Sequence, residues 1–467
     1  MNKKFLSLLS SAILLLNCEK AFSSGFFLIE QSVSAMGTAY ASGSAYAEDA
    51  STIWFNPAGM TKICGRQFVG GGHGVFPSLD YNDEGSIAVE TFSNSPAPGG
   101  IPATFQPLIG NDSKSDEPAL VGQSYFSAQL NNRLWVGLGI TAPYGLVTDY
   151  GNDWKGRYHA IRSAVLTVNI NPSIAWKIND RWSIGAGFSA MYLHAKLTNA
   201  VDFGLIGVNI LGEAAAGALG LVPQQSDGTV ELKGNSWGYG GNAGILYEPC
   251  CGTRIGFSYR SEVKHKVKGE EKFKVLPPGM ENPNNPLAAA FQDTGAKADI
   301  TLPMQLSLSG YHELSRCFAI MGDVTWTKWS SLQELRFVFD NPNQPENVTT
   351  FQWKNSFRYS LGVHYRPSDC FIARFGVSYD ETPVPNSQRR TPRVPDEDRF
   401  WIATGVGYKI NSCTRIDIGY AHLFARDPEI DKSTNLVNDP EDWFKGGLLG
   451  KFNAKTDIIS AQVVVNF

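Results

Sequence analysis

Residues 165–192 read VLTVNINPSIAWKINDRWSIGAGFSAMY. Leu166, Val168, Ile170, Pro172, Ile174, Trp176 and Ile178 alternate with Val165, Thr167, Asn169, Asn171, Ser173, Ala175 and Lys177. Successive side chains of a β-strand point to opposite faces, so one face here is apolar and the other mostly small or polar. Asn179-Asp180-Arg181 supplies a turn, and Trp182, Ile184, Ala186, Phe188, Ala190 and Tyr192 resume the pattern.

The unit recurs downstream. Phe357, Tyr359, Leu361, Val363 and Tyr365 alternate with Arg358, Ser360, Gly362, His364 and Arg366. Phe371 to Tyr379 and Ile416 to Phe424 repeat it, with Arg374, Asp380, Arg415 and Asp417 on the second face. Charges there exclude a dry sandwich core. A polar lumen inside an apolar, lipid-facing wall accounts for both faces. With 27 Phe, 17 Tyr, 11 Trp and 47 Gly but no membrane-helix window after the leader, the chain reads as an all-β transmembrane antiparallel β-barrel.

Tight turns mark one rim: Asn131-Asn132-Arg133, Asn179-Asp180-Arg181, 249–252, Ser315-Arg316, Pro367-Ser368-Asp369 and Asn411-Ser412. The other connections are long: about 201–227, 271–296 and 381–398. That asymmetry fits an outer-membrane barrel of about 14 strands over 65–467, its long loops extracellular. The last strand puts Ile459, Ala461, Val463, Val465 and Phe467 on one face. A terminal aromatic of this kind is the end that the barrel-assembly machinery reads, which makes that machinery an expected partner.

Residues 1–23 read as a cleavable signal: Lys3 and Lys4, a short apolar stretch, then Ala21-Phe22-Ser23. Lipidation at Cys18 is the minor alternative. Residues 24–64 lack sustained alternation and are rich in Gly, Ala and Ser. Phe26, Phe27, Leu28, Ile53, Trp54 and Phe55 need burial, so this segment is expected to fill the lumen as a plug, or hatch. Six cysteines follow the signal: Cys64, Cys250, Cys251, Cys317, Cys370 and Cys413. Five of them fall at or beside the short turns. Links between turns or to other envelope proteins are both open, and at least one inter-turn disulfide is expected.

Three ordered stretches resemble the long-chain fatty-acid and aromatic-hydrocarbon transporters of the outer membrane (FadL/TodX type). They are Gly25-Phe26-Phe27-Leu28 through Asn56-Pro57-Ala58-Gly59, Tyr144 to Asp149 with Thr167 to Pro172, and Asp380-Glu381-Thr382-Pro383 to Phe400-Trp401. The resemblance implies a fourteen-stranded barrel with an N-terminal hatch. It implies passive uptake of a hydrophobic small molecule through a loop groove, a lumen pocket and a lateral exit into the membrane lipid. It places gating at Gly25, Phe26, Phe27, Asn56, Pro57 and Ala58. It also implies a basic lumen residue facing a carboxylate: Arg336 takes the place of a family lysine, and His194 and Lys196 lie in the stretch matching a second cation.

The loop 201–222 is strongly apolar, with Leu205, Ile206, Val208 and Ile210. It reads either as a capture groove or as a helix packed on a neighbouring loop. The cysteines and histidines lack structural zinc spacing, and Gly185-Ala186-Gly187-Phe188-Ser189-Ala190 sits in a strand rather than before a helix. No catalytic residue, metal or cofactor is expected. A net charge of −4 argues against nucleic acid as a partner. The alternatives are a general diffusion porin and, behind it, a barrel-type hydrolase.

Overall fold

The computed structural model describes residues 25–41, 43–92, 102–277, 280, 288–436 and 440–467. The expected signal, 1–23, and part of the loop 271–296 lie outside the described residues.

Fourteen staves form one closed antiparallel barrel. β1 is Arg66–Asp83; β2 comprises Ser113–Ser115 and Ala119–Gln129; β3 comprises Leu134–Thr141 and Gly145–Asp149. β4 is Arg162–Lys177, β5 Trp182–Asp202 and β6 Asp227–Cys250. Four interrupted staves follow: β7 (Thr253–Arg260, Val263–Val275), β8 (Thr294–Leu302, Gln305–Glu313), β9 (Phe318–Thr327, Glu334–Phe339) and β10 (Asn347–Thr350, Ser356–Tyr365). The rest are β11 (Phe371–Asp380), β12 (Arg399–Lys409), β13 (Thr414–Ala425, Glu429–Asp431) and β14 (Leu449–Asn466). β14 closes on β1 from Gln67↔Asn466 to Asp83↔Gly450, so the first and last staves cover each other's edges. Ile174, Trp176 and Phe188 are exposed on the outer face, whereas Asn169, Asn171 and Ser173 are buried inside.

At the long-loop end, a hairpin pairs Ile87–Phe92 with Pro102–Pro107. It packs against the helix α1 (Phe203–Leu211) through Val89 and Leu205, and α2 (Glu213–Ala218) follows α1, its Ala216 buried with Phe203. Asp202 caps α1, accepting from Leu205 N at 2.8 Å.

Residues 25–41 and 43–63 lie inside the barrel. Met36, Ala39, Ile53 and Met60 are fully buried. Two acids of this segment dock on inward-facing arginines of the wall. Glu48 meets Arg374 of β11 at 2.5 Å and Arg415 of β13 at 3.0 Å, and Asp49 meets Arg415 at 2.8 Å. Asp417 completes the network, 3.0 Å from Arg374 and 2.9 Å from Arg415. This is where the second-face charges of the sequence pattern are used.

The expected inter-turn disulfide is not formed: all six cysteines are exposed free thiols. Turns of adjacent hairpins stand two staves apart, about 10 Å at the usual strand spacing. A disulfide needs Cα atoms within about 7 Å.

Candidate functional site

The ladder between β2 and β3 stops early. It runs only from Gln129↔Trp135 to Ser124↔Ile140. Residues 142–144 leave the wall, and Gly145–Asp149 pairs with β4 alone among the described strands. Residues 119–123 of β2 keep their pairing with β1 but have no ladder partner on the β3 side among the described residues. The wall is therefore broken beside Pro143, which has no N–H to give a ladder.

The N-terminal segment satisfies the freed backbone from inside. Leu28 N donates to Pro143 O at 2.8 Å, and Gly145 N donates to Phe26 O at 3.0 Å. Phe27 bridges Tyr144. Gln31 Nε2 donates to Ala142 O at 2.9 Å, and Tyr125 Oη donates to Gln31 O at 2.8 Å. Buried backbone groups need such partners, so these residues seal the break while they stay in place.

Behind the break lies a cavity that opens toward the long loops. Leu146, Val165, Leu193, Leu197, Val267 and Ile300 give it an apolar wall, and Phe26 forms its floor. Phe26 is held among Trp329, Tyr144 and Trp353, with ring centroids at 5.2, 5.9 and 6.1 Å. Gly25 turns beneath Trp329 with φ +61, and a Cβ there would strike the indole at 2.8 Å, so only glycine fits.

A single guanidinium stands at the cavity's outer end. Arg393, in the loop between β11 and β12, donates to Ser163 Oγ at 3.0 Å and to Asn199 Oδ1 at 3.1 Å. It has no carboxylate partner among the described residues. Burial pushes its pKa down to about 10. The loop is tied in place: Tyr150 Oη donates to Pro392 O at 2.8 Å, Arg390 pairs with Glu397 at 2.6 Å and Arg399 with Asp396 at 2.9 Å. Gly25 N donates to Asp396 Oδ2 at 3.0 Å, which joins loop and N-terminal segment directly. Beyond Arg393 opens a more polar vestibule, lined by His159, Asn199 and Lys432 among others.

The residues expected from sequence fall elsewhere. Arg336 points outward from β9, paired with Glu334 at 2.8 Å and Glu346 at 2.5 Å, its side chain 44% exposed. Leu335 and Phe337 are the residues of that strand that reach the cavity. In β5, Leu193, Ala195 and Leu197 line the cavity, so His194 and Lys196 must face out. Lys196 pairs there with Glu231 at 2.7 Å. Thus none of the three cations enters the lumen, because strand alternation puts each on the opposite face. Leu205 is buried against Val89 and Leu436, Ile206 and Val208 are half-buried, and Ile210 is 59% exposed. None of these four lines the cavity.

Asn56, Pro57 and Ala58 sit against the wall near the short-turn rim. Asn56 Nδ2 donates to Ile245 O at 3.0 Å, and its Oδ1 accepts from Ala58 N at 3.0 Å. A Cβ on Gly185 or Gly244 would collide with this turn, so those wall glycines make its seat. Sequence reasoning missed Arg393. The available signal was a cation in the proline-spaced run Thr391-Pro392-Arg393-Val394-Pro395, inside one of the stretches that carry the resemblance.

The sequence profile described as Outer membrane protein transport protein (OMPP1/FadL/TodX) matches residues 14–467. The long-chain fatty acid transport protein of Escherichia coli (strain K12) is 31% identical over 445 residues, covering 91% of this chain and 93% of that protein. A Pseudomonas aeruginosa FadL homologue of known structure shares the fold at TM-score 0.81 and 22% identity, over 95% of this chain and 100% of that one. The Pseudomonas putida toluene transporter TodX matches at TM-score 0.68 and 16% identity, over 95% and 100%.

Proposed function

The chain belongs to the OMPP1/FadL/TodX family of outer membrane transport proteins, and from that premise we propose that its cargo is a long-chain fatty acid or a similar apolar molecule ending in a carboxylate. One observation carries this reading: a half-buried arginine, without a carboxylate partner among the described residues, at the mouth of a cavity whose exposed lining is almost wholly apolar. A cation partly withdrawn from water is costly unless paired, and a carboxylate head group would pair it while the alkyl tail fills the cavity.

The path runs from the vestibule past Arg393, through the cavity, and sideways through the break between β2 and β3 into the membrane. Exit requires Phe26, Phe27 and Leu28 to withdraw from residues 142–145, which gives those three the gating role. Asn56, Pro57 and Ala58 act as the seat about which the segment is held. The exposed apolar side chains of α1 and its successor, Ile210, Leu211 and Leu219, provide the first capture surface. Uptake of this kind needs no bond chemistry. An open diffusion pore fits less well, because the N-terminal segment occupies the lumen.

Binding of a fluorescent fatty acid to protein in mild detergent tests the proposal. Arg393→Gln should weaken it at least tenfold and leave a neutral hydrocarbon of equal length unaffected. Equal losses for both ligands would mean that Arg393 shapes the cavity and does not read the carboxylate.

A further inference from the structure

The short-turn rim, which faces the periplasm, carries thiols at a regular interval. Cys64 precedes β1, Cys251 precedes β7, Cys317 precedes β9, Cys370 precedes β11 and Cys413 precedes β13. Every second stave from β7 round to β1 thus begins beside a cysteine, and Cys250 adds a sixth next to Cys251. All are exposed and free. Three of these turns are fixed by the following hairpin or strand: Cys317 O accepts from Arg366 N at 2.7 Å, Cys370 O from Lys409 N at 2.9 Å and Cys413 O from Asn466 N at 2.7 Å. The backbone is held while the thiols stand in solvent.

We propose that this arc is a covalent docking surface for a cysteine-bearing periplasmic protein that lies beneath the rim. The periplasm favours disulfides, so six exposed thiols there need a fate. Apart from the adjacent Cys250 and Cys251, which share one turn, rim thiols on neighbouring turns stand about 10 Å apart by strand spacing, beyond the reach of a disulfide between turns. Nor can thiols so spaced share a zinc ion, whose sulfur ligands sit about 2.3 Å away. No metal-holding group of His, Cys, Asp or Glu occurs among the described residues. A second copy in the same membrane touches the barrel along one side, where one or two of the thiols would meet it. A protein spanning the rim from below meets the whole arc.

The chemistry is thiol–disulfide exchange. A rim thiol loses its proton, and the thiolate attacks a disulfide carried by the partner. One S–S bond forms, the old one breaks, and the partner's released sulfur takes up a proton. The partner's disulfide supplies the oxidising equivalents, so no further oxidant enters.

The test begins with native cells whose thiols are blocked by N-ethylmaleimide before lysis. Outer membranes are separated on non-reducing and reducing gels, and linked peptides are read by mass spectrometry. The expected result is rim-cysteine peptides joined to cysteine peptides of one other polypeptide. That species should be lost when all six cysteines become serine, while the barrel stays folded by its heat-dependent gel shift. Restoring Cys251, Cys317, Cys370, Cys413 or Cys64 singly should each bring it back. Fully alkylated thiols, links within the chain, a disulfide-linked homodimer, or rescue by a single position alone would each overturn the proposal.

Discussion

Arg393 donates to Ser163 Oγ at 3.0 Å, across the gap between the long loop joining β11 to β12 and the barrel wall. Its second partner is Asn199, also neutral. The guanidinium is thus positioned by groups that leave its charge uncompensated. A hydrogen bond to a charged group contributes about 1.5–3 kcal/mol, or roughly ten- to a hundredfold in affinity. Arg393→Gln should cost fatty-acid affinity in that range, measured by ligand titration.

Arg336→Ala should leave both fatty-acid and hydrocarbon binding unchanged. The side chain faces outward and is held by Glu334 and Glu346. Exposed pairs contribute little to stability, so the melting temperature should also stay close to that of the parent. A tenfold loss of fatty-acid affinity would return Arg336 to the site.

Gly145→Val should unseat the N-terminal segment at the break. A Cβ at Gly145 would come within 2.8 Å of Leu28 Cδ1, whose backbone N–H bonds Pro143 O. Single-channel recordings in planar bilayers should show larger and more frequent openings. A silent channel would show that the segment yields without leaving the break.

Glu48→Gln should loosen the same segment from its other end. It leaves Arg374 short of a carboxylate partner in a buried network that also holds Arg415. Removing one partner of a buried ion pair costs about 3–5 kcal/mol. The expected readout is faster proteolysis of residues 25–63 in the folded barrel. Arg374→Met combined with Glu48→Met should recover part of the loss, because both charges are then gone.

The Glu30 carboxyl, inside the lumen, is raised by burial from its ordinary 4.5 to about 7, with Arg399, Asp380 and Arg358 as the charged groups around it. Tyr40 lies close by. The docked segment prefers the protonated form. Its contribution to docking is therefore full below about pH 4.5 and is lost as the pH rises through about 7. Channel opening should increase over that window, and Glu30→Gln should flatten the dependence.

The alternation of residues 165–192, the closing strand to Phe467 and the contrast of short turns with long loops were legible from sequence. Each rests on a local rule: a strand shows its two faces every second residue. The same rule placed polar residues inside, which the structure uses for the Glu48–Arg374–Arg415 network. The cavity was not legible. Its cation comes from a loop that folds back into the barrel, 230 positions in sequence from the serine it touches. A one-residue difference in facing separates Lys196 from Leu197, and composition alone does not say which face meets the lumen at that height. The sequence by itself determined the barrel, because lipid and a watery lumen impose a period of two on every stave. The tertiary structure alone decided which charge reads the cargo and where the wall opens, because both depend on long-range closure of the sheet around its own N-terminal segment.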